Sequence, residues 1–255
     1  MTDREVQEFD EAGSVTVDTP LTEREIADAA SAFDRLLPFQ NGNFRPSLTC
    51  SYFDPALIDV IQHPFFEQAA QRVLRAERVH FFQTAMLTAY PQPDTPFSFW
   101  QHVDIQYRLA DFQSAPKNII CSFFLWLTDV NERRAPMMFR PGSHLLIAEH
   151  RQQDADWQGD PLRVAPVPLE KLPALPYTDP IPLIARTGQV SVLTTAAVHG
   201  ASVNVDSKPR KNLVITFVAA GTTIGLPPHE QEQTEQYHNA LRSRMRPERA
   251  HIIPA

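Results

Sequence analysis

His102 and Asp104 stand one residue apart, with Val103 between them, in a run rich in aromatic and β-branched residues. In an extended strand, positions i and i+2 share a face, so an imidazole and a carboxylate would project together while Val103 turns away. That pair is half of a two-histidine, one-carboxylate facial triad, the donor set whose open positions suit non-haem Fe(II). Alone it is a weak signal. With nine histidines and 30 acidic residues in the chain, chance supplies roughly one such doublet. A second constellation changes the weighing. His199 ends the strand candidate 190–198, and Arg210, eleven residues further on, opens the strand candidate 213–219. An iron centre with one face open needs a co-substrate that delivers electrons for O2 activation. 2-Oxoglutarate can chelate through its ketone and one carboxylate. Its distal carboxylate then needs a partner, which arginine supplies bidentately and always charged.

Three phrases carry a resemblance: His102-x-Asp104, Phe139-Arg-Pro-Gly-Ser-His144, and His199-Gly-Ala-Ser-Val-Asn204-x-Asp206-x-x-x-Arg210. Together they resemble the phytanoyl-CoA dioxygenase family of Fe(II)/2-oxoglutarate oxygenases. The opening Gln7-Glu-Phe-Asp-Glu-Ala-Gly13, a following strand and Leu21-Thr-Glu-Arg-Glu-Ile26 are also similar to that family, so the likeness runs from about Val6 to Gly221. It implies a double-stranded β-helix, or jelly roll, with His102, Asp104 and His199 as iron ligands and Arg210 as the anchor for 2-oxoglutarate. It also implies Gln83 and Ser202 as contacts to co-substrate or substrate, Ala201 standing where relatives often carry serine. The implied reaction uses O2 to oxidise a C–H bond of a small organic molecule, with release of succinate and CO2. Hydroxylation is the default outcome, desaturation, cyclisation and epimerisation are the others, and secondary metabolism is the setting. Two other readings stay open: a jelly-roll enzyme using another metal without 2-oxoglutarate, and a non-catalytic binding module on the same scaffold. Arg210 counts against the first and the complete triad against the second.

The elements that must hold these residues can be read from periodicity. A short helix is expected at 5–12, a strand at 14–18, and a helix behind a Thr22/Glu25 capping box. Another helix is expected at 64–74, with Phe65, Phe66, Ala69, Ala70 and Val73 at helical spacing. From residue 78 the pattern turns to strands at 79–90, 97–107, 119–127, 190–198 and 213–219. The run 119–127 is continuously apolar, as in a strand covered on both faces. The domain reading is a single unit: helical support over 1–77, a mainly β core over 78–221 and a surface helix or tail over 222–255. The proline-punctuated stretch 148–184 follows neither period and reads as an insert, a lid or wall over the site. The Pro141-Gly-Ser-His144 phrase reads as a turn ending a strand. Gln106, Tyr107 and Arg108 are candidates to reach substrate, Trp100 either lines the pocket or fills the core, and Met137 and Met138 read as core filler.

Composition excludes several classes. The eight glycines form no G-x-G turn, which argues against a P-loop or a dinucleotide fingerprint. A net charge of −7 without a basic block makes a poor nucleic-acid partner. The chain carries no apolar run of bilayer length and opens on a charged stretch, MTDREVQEF, so neither a membrane partner nor a secretory signal is expected. Two cysteines, Cys50 and Cys121, fit a reducing cytoplasm. The expected partner is a small-molecule substrate. Oligomeric state is not legible.

Overall fold

The computed structural model describes residues 1–153 and 163–254. Trp157 and Pro161, at the centre of the expected insert, lie outside the described residues, as does Ala255. Two antiparallel sheets form the jelly-roll core. The larger runs in the order β1 (Ser14–Val17), β9 (Val190–Leu193), β5 (Cys121–Trp126), β11 (Arg210–Ala219), β3 (Val79–Ala89) and β2 (Ser47–Thr49). The smaller runs β7 (Val167–Pro168), β4 (His102–Val103), β10 (His199–Ala201), β6 (Met137–Phe139) and β8 (Ile181–Leu183).

Strand β5 is buried along its whole length, as its unbroken apolar run requires. Its period-2 alternation divides the core. Phe123 points to the helical side, where it meets Phe66 at 5.7 Å and Phe217 at 6.1 Å. Phe124 and Trp126 point between the sheets with Val214, Met137 and Leu193. Helix α4 (Pro64–Leu74) supplies Phe66, and proline in its first turn with His63 as N-cap fixes its start. Helices α1 (Asp3–Ala12) and α2 (Glu23–Leu36) both open on reciprocal capping boxes, Thr2/Glu5 and Thr22/Glu25. α3 (Pro55–Ile61) and α5 (Leu109–Gln113) are short.

Several expectations need correction. The N-terminal part is more than helical support, because β1 and β2 form both edges of the larger sheet. The candidate strand 97–107 pairs over His102 and Val103 only, plus an isolated bridge from Phe99 to Ser202. Alternating burial continues through Val103, Ile105 and Tyr107 without a ladder. The candidate strand 190–198 is strand over its first four residues only: β9 stops at Leu193, a turn follows, and His199 opens β10 in the opposite sheet. The Pro-Gly-Ser-His turn starts a helix, α6 (Ser143–Gln152), with Gly142 as its left-handed N-cap. The described part of the insert carries β7 and β8. The C-terminal stretch forms α7 (Pro228–Arg242), which buries Thr234, Tyr237, His238 and Leu241 against the core. No helix among the described residues is long and apolar enough to cross a membrane.

Candidate metal centre and its cavity

Strands β4 and β10 lie side by side, with His102 registered directly against His199. Gly200 permits this approach: a Cβ there would stand 1.6 Å from the Trp100 carbonyl oxygen. Just past the end of β4, the Asp104 backbone N–H donates to the Thr195 carbonyl at 2.9 Å. The three side chains converge, with ligand atoms all within 4.8 Å of one another. His102 Nε2 is 3.1 Å from Asp104 Oδ1, and His199 Nε2 is 3.8 Å from Asp104 Oδ2. His199 Nδ1 lies 2.9 Å from the Ala197 carbonyl, so Nδ1–H donates there and the Nε2 lone pair is left facing the carboxylate. Burial lowers the His199 pKa and favours the neutral, metal-binding imidazole, although the Asp104 charge pulls the other way. Burial alone would raise the Asp104 pKa. The hydrogen bond from His102 and the charges of His199 and His102 outweigh it, so the carboxyl stays ionised, below its ordinary value. Two imidazoles and one carboxylate make a fitting donor set for a divalent iron ion.

These ligands open on a cavity of about 300 Å³ between the sheets. Leu87, Phe124, Met137 and Val214 form one end and Phe82, Ile120 and Val164 the other, with Gln83, Ser122, Thr195 and Thr216 as polar points. Gln83 and Phe82 both face inward because of a β-bulge. Ile215 pairs with Thr84 and Phe217 with Phe81, so two residues of β3 oppose Thr216 alone. The Thr216 hydroxyl replaces the missing ladder, accepting from Gln83 N at 2.8 Å and donating to Gln83 O at 3.0 Å.

Arg210 opens β11 on the same face as Val214 and Thr216, beyond the residues that line the cavity. It is 3% exposed, its guanidinium lies 5.9 Å from the Trp126 ring, and its Nε and Nη1 have no hydrogen-bond partner among the described residues. Burial, and secondarily the charge of Arg45, bring its pKa down to about 10, so it remains a cation. Asn204 explains the fixed spacing from His199. Its amide donates to the Ala89 carbonyl at 2.7 Å and the Lys208 carbonyl at 2.9 Å, and its oxygen accepts from Asp206 N. That closes the β10–β11 turn and sets Arg210 opposite Ala89.

Other candidates fall elsewhere. Ser202 is fully buried, and its hydroxyl donates to the Pro136 carbonyl at 2.7 Å; Ala201 is the residue that faces the cavity. The contact implied for Ser202 is therefore corrected. Tyr107 is buried, its hydroxyl accepting from Ile120 N, and Gln106 accepts from Arg151, so neither lines the cavity. Met137 does line it, while Met138 is buried elsewhere. Trp100 does neither of the things expected of it. It is 52% exposed and stacks on His102 at 4.3 Å.

Two contributors, Asn212 and Ser143, escape sequence reading. Asn212, two residues beyond Arg210, is wholly buried with both amide atoms unpartnered among the described residues. A polar residue at i+2 from Arg210 in an apolar strand was its only signal. Ser143 accepts the Val198 N–H at 2.8 Å while donating to the Arg140 carbonyl at 2.6 Å, and so fixes the residue before His199. The insert also reaches the site. Its β7 pairs with β4, and Ala165 N donates to the Asp104 carbonyl at 2.8 Å.

A family model described as Phytanoyl-CoA dioxygenase (PhyH) matches residues 9–212. An "Ectoine dioxygenase" of Bordetella parapertussis is 26% identical over 208 residues, covering 74% of this chain and 63% of that protein. The chain thus spans less than two thirds of the curated relative. Among solved structures, the epimerase SnoN in complex with Fe3+, alpha ketoglutarate and nogalamycin RO superposes with a TM-score of 0.63 at 19% identity, covering 86% of this chain and 83% of that one. HygX from Streptomyces hygroscopicus, with nickel and 2-oxoglutarate bound, gives 0.62 at 13% identity, covering 87% and 88%. At those identities the structures bear on the fold.

Proposed function

The chain belongs to the phytanoyl-CoA dioxygenase family, and from that premise we propose that it is an Fe(II)/2-oxoglutarate-dependent oxygenase that oxidises, by default hydroxylates, a C–H bond of a small organic molecule. The observation that carries the reading is the convergence of His102, Asp104 and His199 on one cavity between the sheets. Arg210 Nε and Nη1, without hydrogen-bond partners among the described residues, and the small-molecule ligands of SnoN and HygX support it.

In this reading His102, Asp104 and His199 hold the iron, which with 2-oxoglutarate and O2 supplies the oxidising power, succinate and CO2 being the by-products. Every other role belongs to the chain. Arg210 grips the distal carboxylate of the co-substrate, a charge-assisted pair inside an apolar shell. Asn212 offers its amide on the same face. Thr195, whose side chain hydrogen-bonds Asp104, steers that carboxylate. Gln83 orients the substrate from the bulge, and Phe124, Met137 and Val214 exclude water from the reacting region. The described end of the insert, with Val164 on the cavity, serves as a wall that helps select substrate. The setting proposed is secondary metabolism in the cytoplasm.

The test is anaerobic addition of Fe(II) and 2-oxoglutarate to the metal-free protein. The expected result is the visible charge-transfer band of the iron chelate, absent when either component is omitted. A colourless mixture in which both ligands still bind sinks the proposal.

A further inference from the structure

A second cavity, of about 480 Å³, adjoins the first. Phe82 lines both, and on its far side the walls are His80 and Val218 of the larger sheet, the turn at 222–226 and one face of α7. α7 is fastened to the bulge at two points. His238 Nε2 hydrogen-bonds the Phe82 carbonyl at 2.8 Å, and Gln83 Nε2 donates to Thr234 Oγ1 at 3.1 Å. The helix therefore holds in place two of the β3 residues that line the cavity of the candidate metal centre. Both α7 and the 222–226 turn lie beyond residue 212, where the family match ends.

The two cavities differ in chemistry. Apart from the ligands themselves, the inner one is mostly hydrocarbon, whereas the outer one presents Thr222, Thr223, Gln231 and Asn239. No lysine or arginine lines it among the described residues. Burial foremost, with Arg78 near His80 and Arg242 near His238, lowers both imidazoles and favours their neutral forms. Among the described residues Glu235 is the only carboxylate or permanent charge that lines it, and Gln231 Nε2 donates to it at 3.0 Å. Neutral donors and acceptors fit hydroxyls, and a carboxylate without a cation repels anions.

We propose that the outer cavity is a substrate subsite for an uncharged, hydroxyl-bearing group, carried on an apolar body that enters the inner cavity past Phe82. This rests on the oxygenase reading only for which end of the ligand is oxidised; the binding itself can be measured without turnover.

The experiment titrates three probes by ligand-observed NMR: phenyl β-D-glucopyranoside, phenyl β-D-glucuronide and toluene. Each is run on the protein alone and on the protein loaded with Ni(II) and 2-oxoglutarate, loading being followed separately so that its failure falls on the oxygenase reading. The glucoside is expected to bind in the millimolar range, worth about 4 kcal/mol, and the glucuronide about tenfold more weakly. The paired substitutions Gln231→Ala and Asn239→Ala, on exposed helical positions that tolerate alanine, should weaken the glucoside about tenfold and leave toluene unchanged. No glucoside binding, equal binding of the glucuronide, an unaffected double variant, or an equal loss of toluene binding each overturns the subsite.

Discussion

Lys117 and Arg210 are buried to nearly the same degree, 2% and 3% exposed, yet the chain treats them in opposite ways. Lys117 is neutralised. Its ammonium pairs with Asp10 of α1, which also holds Arg75 at 2.9 Å. Burial lowers the lysine's pKa, and the Asp10 hydrogen bond and charge oppose that. Arg210 faces an aromatic ring, the repulsion of Arg45, and two nitrogens without partners among the described residues. An unpaired charge in an apolar interior costs several kcal/mol, so a fold selected for stability alone would not keep one. The first cation fastens an N-terminal helix to the core. The second has the amide of Asn212, also without partners among the described residues, two positions along the same strand face, and in the function proposed above it meets an anion that comes from outside the chain. A buried charge's partners, more than its burial, separate scaffold from site.

The largest effects belong to the site end. Under the proposed function, Asp104→Ala, His102→Ala or His199→Ala each removes one of three protein ligands. Each should abolish Fe(II) or Co(II) binding, read by titration, and succinate production with it, while the thermal midpoint of the metal-free protein changes little. Undiminished succinate production by any of the three would show that the metal sits elsewhere.

The comparison itself is sharpened by a matched pair of substitutions. Asp10→Ala leaves Lys117 buried and unpaired and should cost about 3 kcal/mol of stability in denaturant unfolding. Arg210→Met removes a charge that has no partner to strand, so stability should change by under about 1 kcal/mol or rise. Its penalty should appear in co-substrate binding instead, a loss on the order of 2–5 kcal/mol for 2-oxoglutarate with iron affinity retained. If Arg210→Met unfolds as readily as Asp10→Ala and still binds 2-oxoglutarate normally, the two cations play the same structural role.

The convergence of His102, Asp104 and His199 was legible because chemistry restricts residue type. Two imidazoles, a carboxylate and an arginine at these spacings have few other uses, and the alternation that frames them survives in the burial of Val103, Ile105 and Tyr107. Less legible was anything set by pairing partners. The segment around His102 looks like a long strand, but the strands beside it, β7 and β10, are two and three residues long, so the ladder stops. Ser202 was misplaced by a single residue, which in a strand is a change of face: His199 and Ala201 look into the cavity, and Ser202 looks away. α6 was hidden behind Pro141-Gly142, a turn signature that here caps a helix. α7 carries little apolar periodicity to show which of its faces packs on the bulge, because its tethers there are Thr234 and His238.

The last prediction returns to the Lys117 end, where a titratable group makes the scaffold pH-sensitive. His144 is 2% exposed, and its Nε2 lies 3.2 Å from the Asp10 carbonyl. Its Nδ1 has no hydrogen-bond partner among the described residues and packs against Gly13, where a Cβ would approach to 2.7 Å. Burial pushes its pKa down to about 4, the Asp10 carbonyl and carboxylate resisting and Lys117 adding to the fall. The folded value is thus below the unfolded one of 6.5. Between these two pH values the unfolded chain holds a proton that the folded chain does not, so stability must fall as pH drops through that window. The slope approaches one proton, about 1.4 kcal/mol per pH unit. His144→Gln keeps a donor for Asp10 and cannot titrate. Denaturant unfolding of the metal-free proteins from pH 7 to pH 4 should show the wild type losing stability faster than the variant by up to that slope, the other histidines cancelling in the difference. Arg210→Met should leave the slope at its wild-type value, because the guanidinium stays charged throughout. Parallel curves for wild type and His144→Gln would mean that His144 takes up its proton in the fold as readily as in the unfolded chain, and that burial beside Lys117 does not hold it neutral.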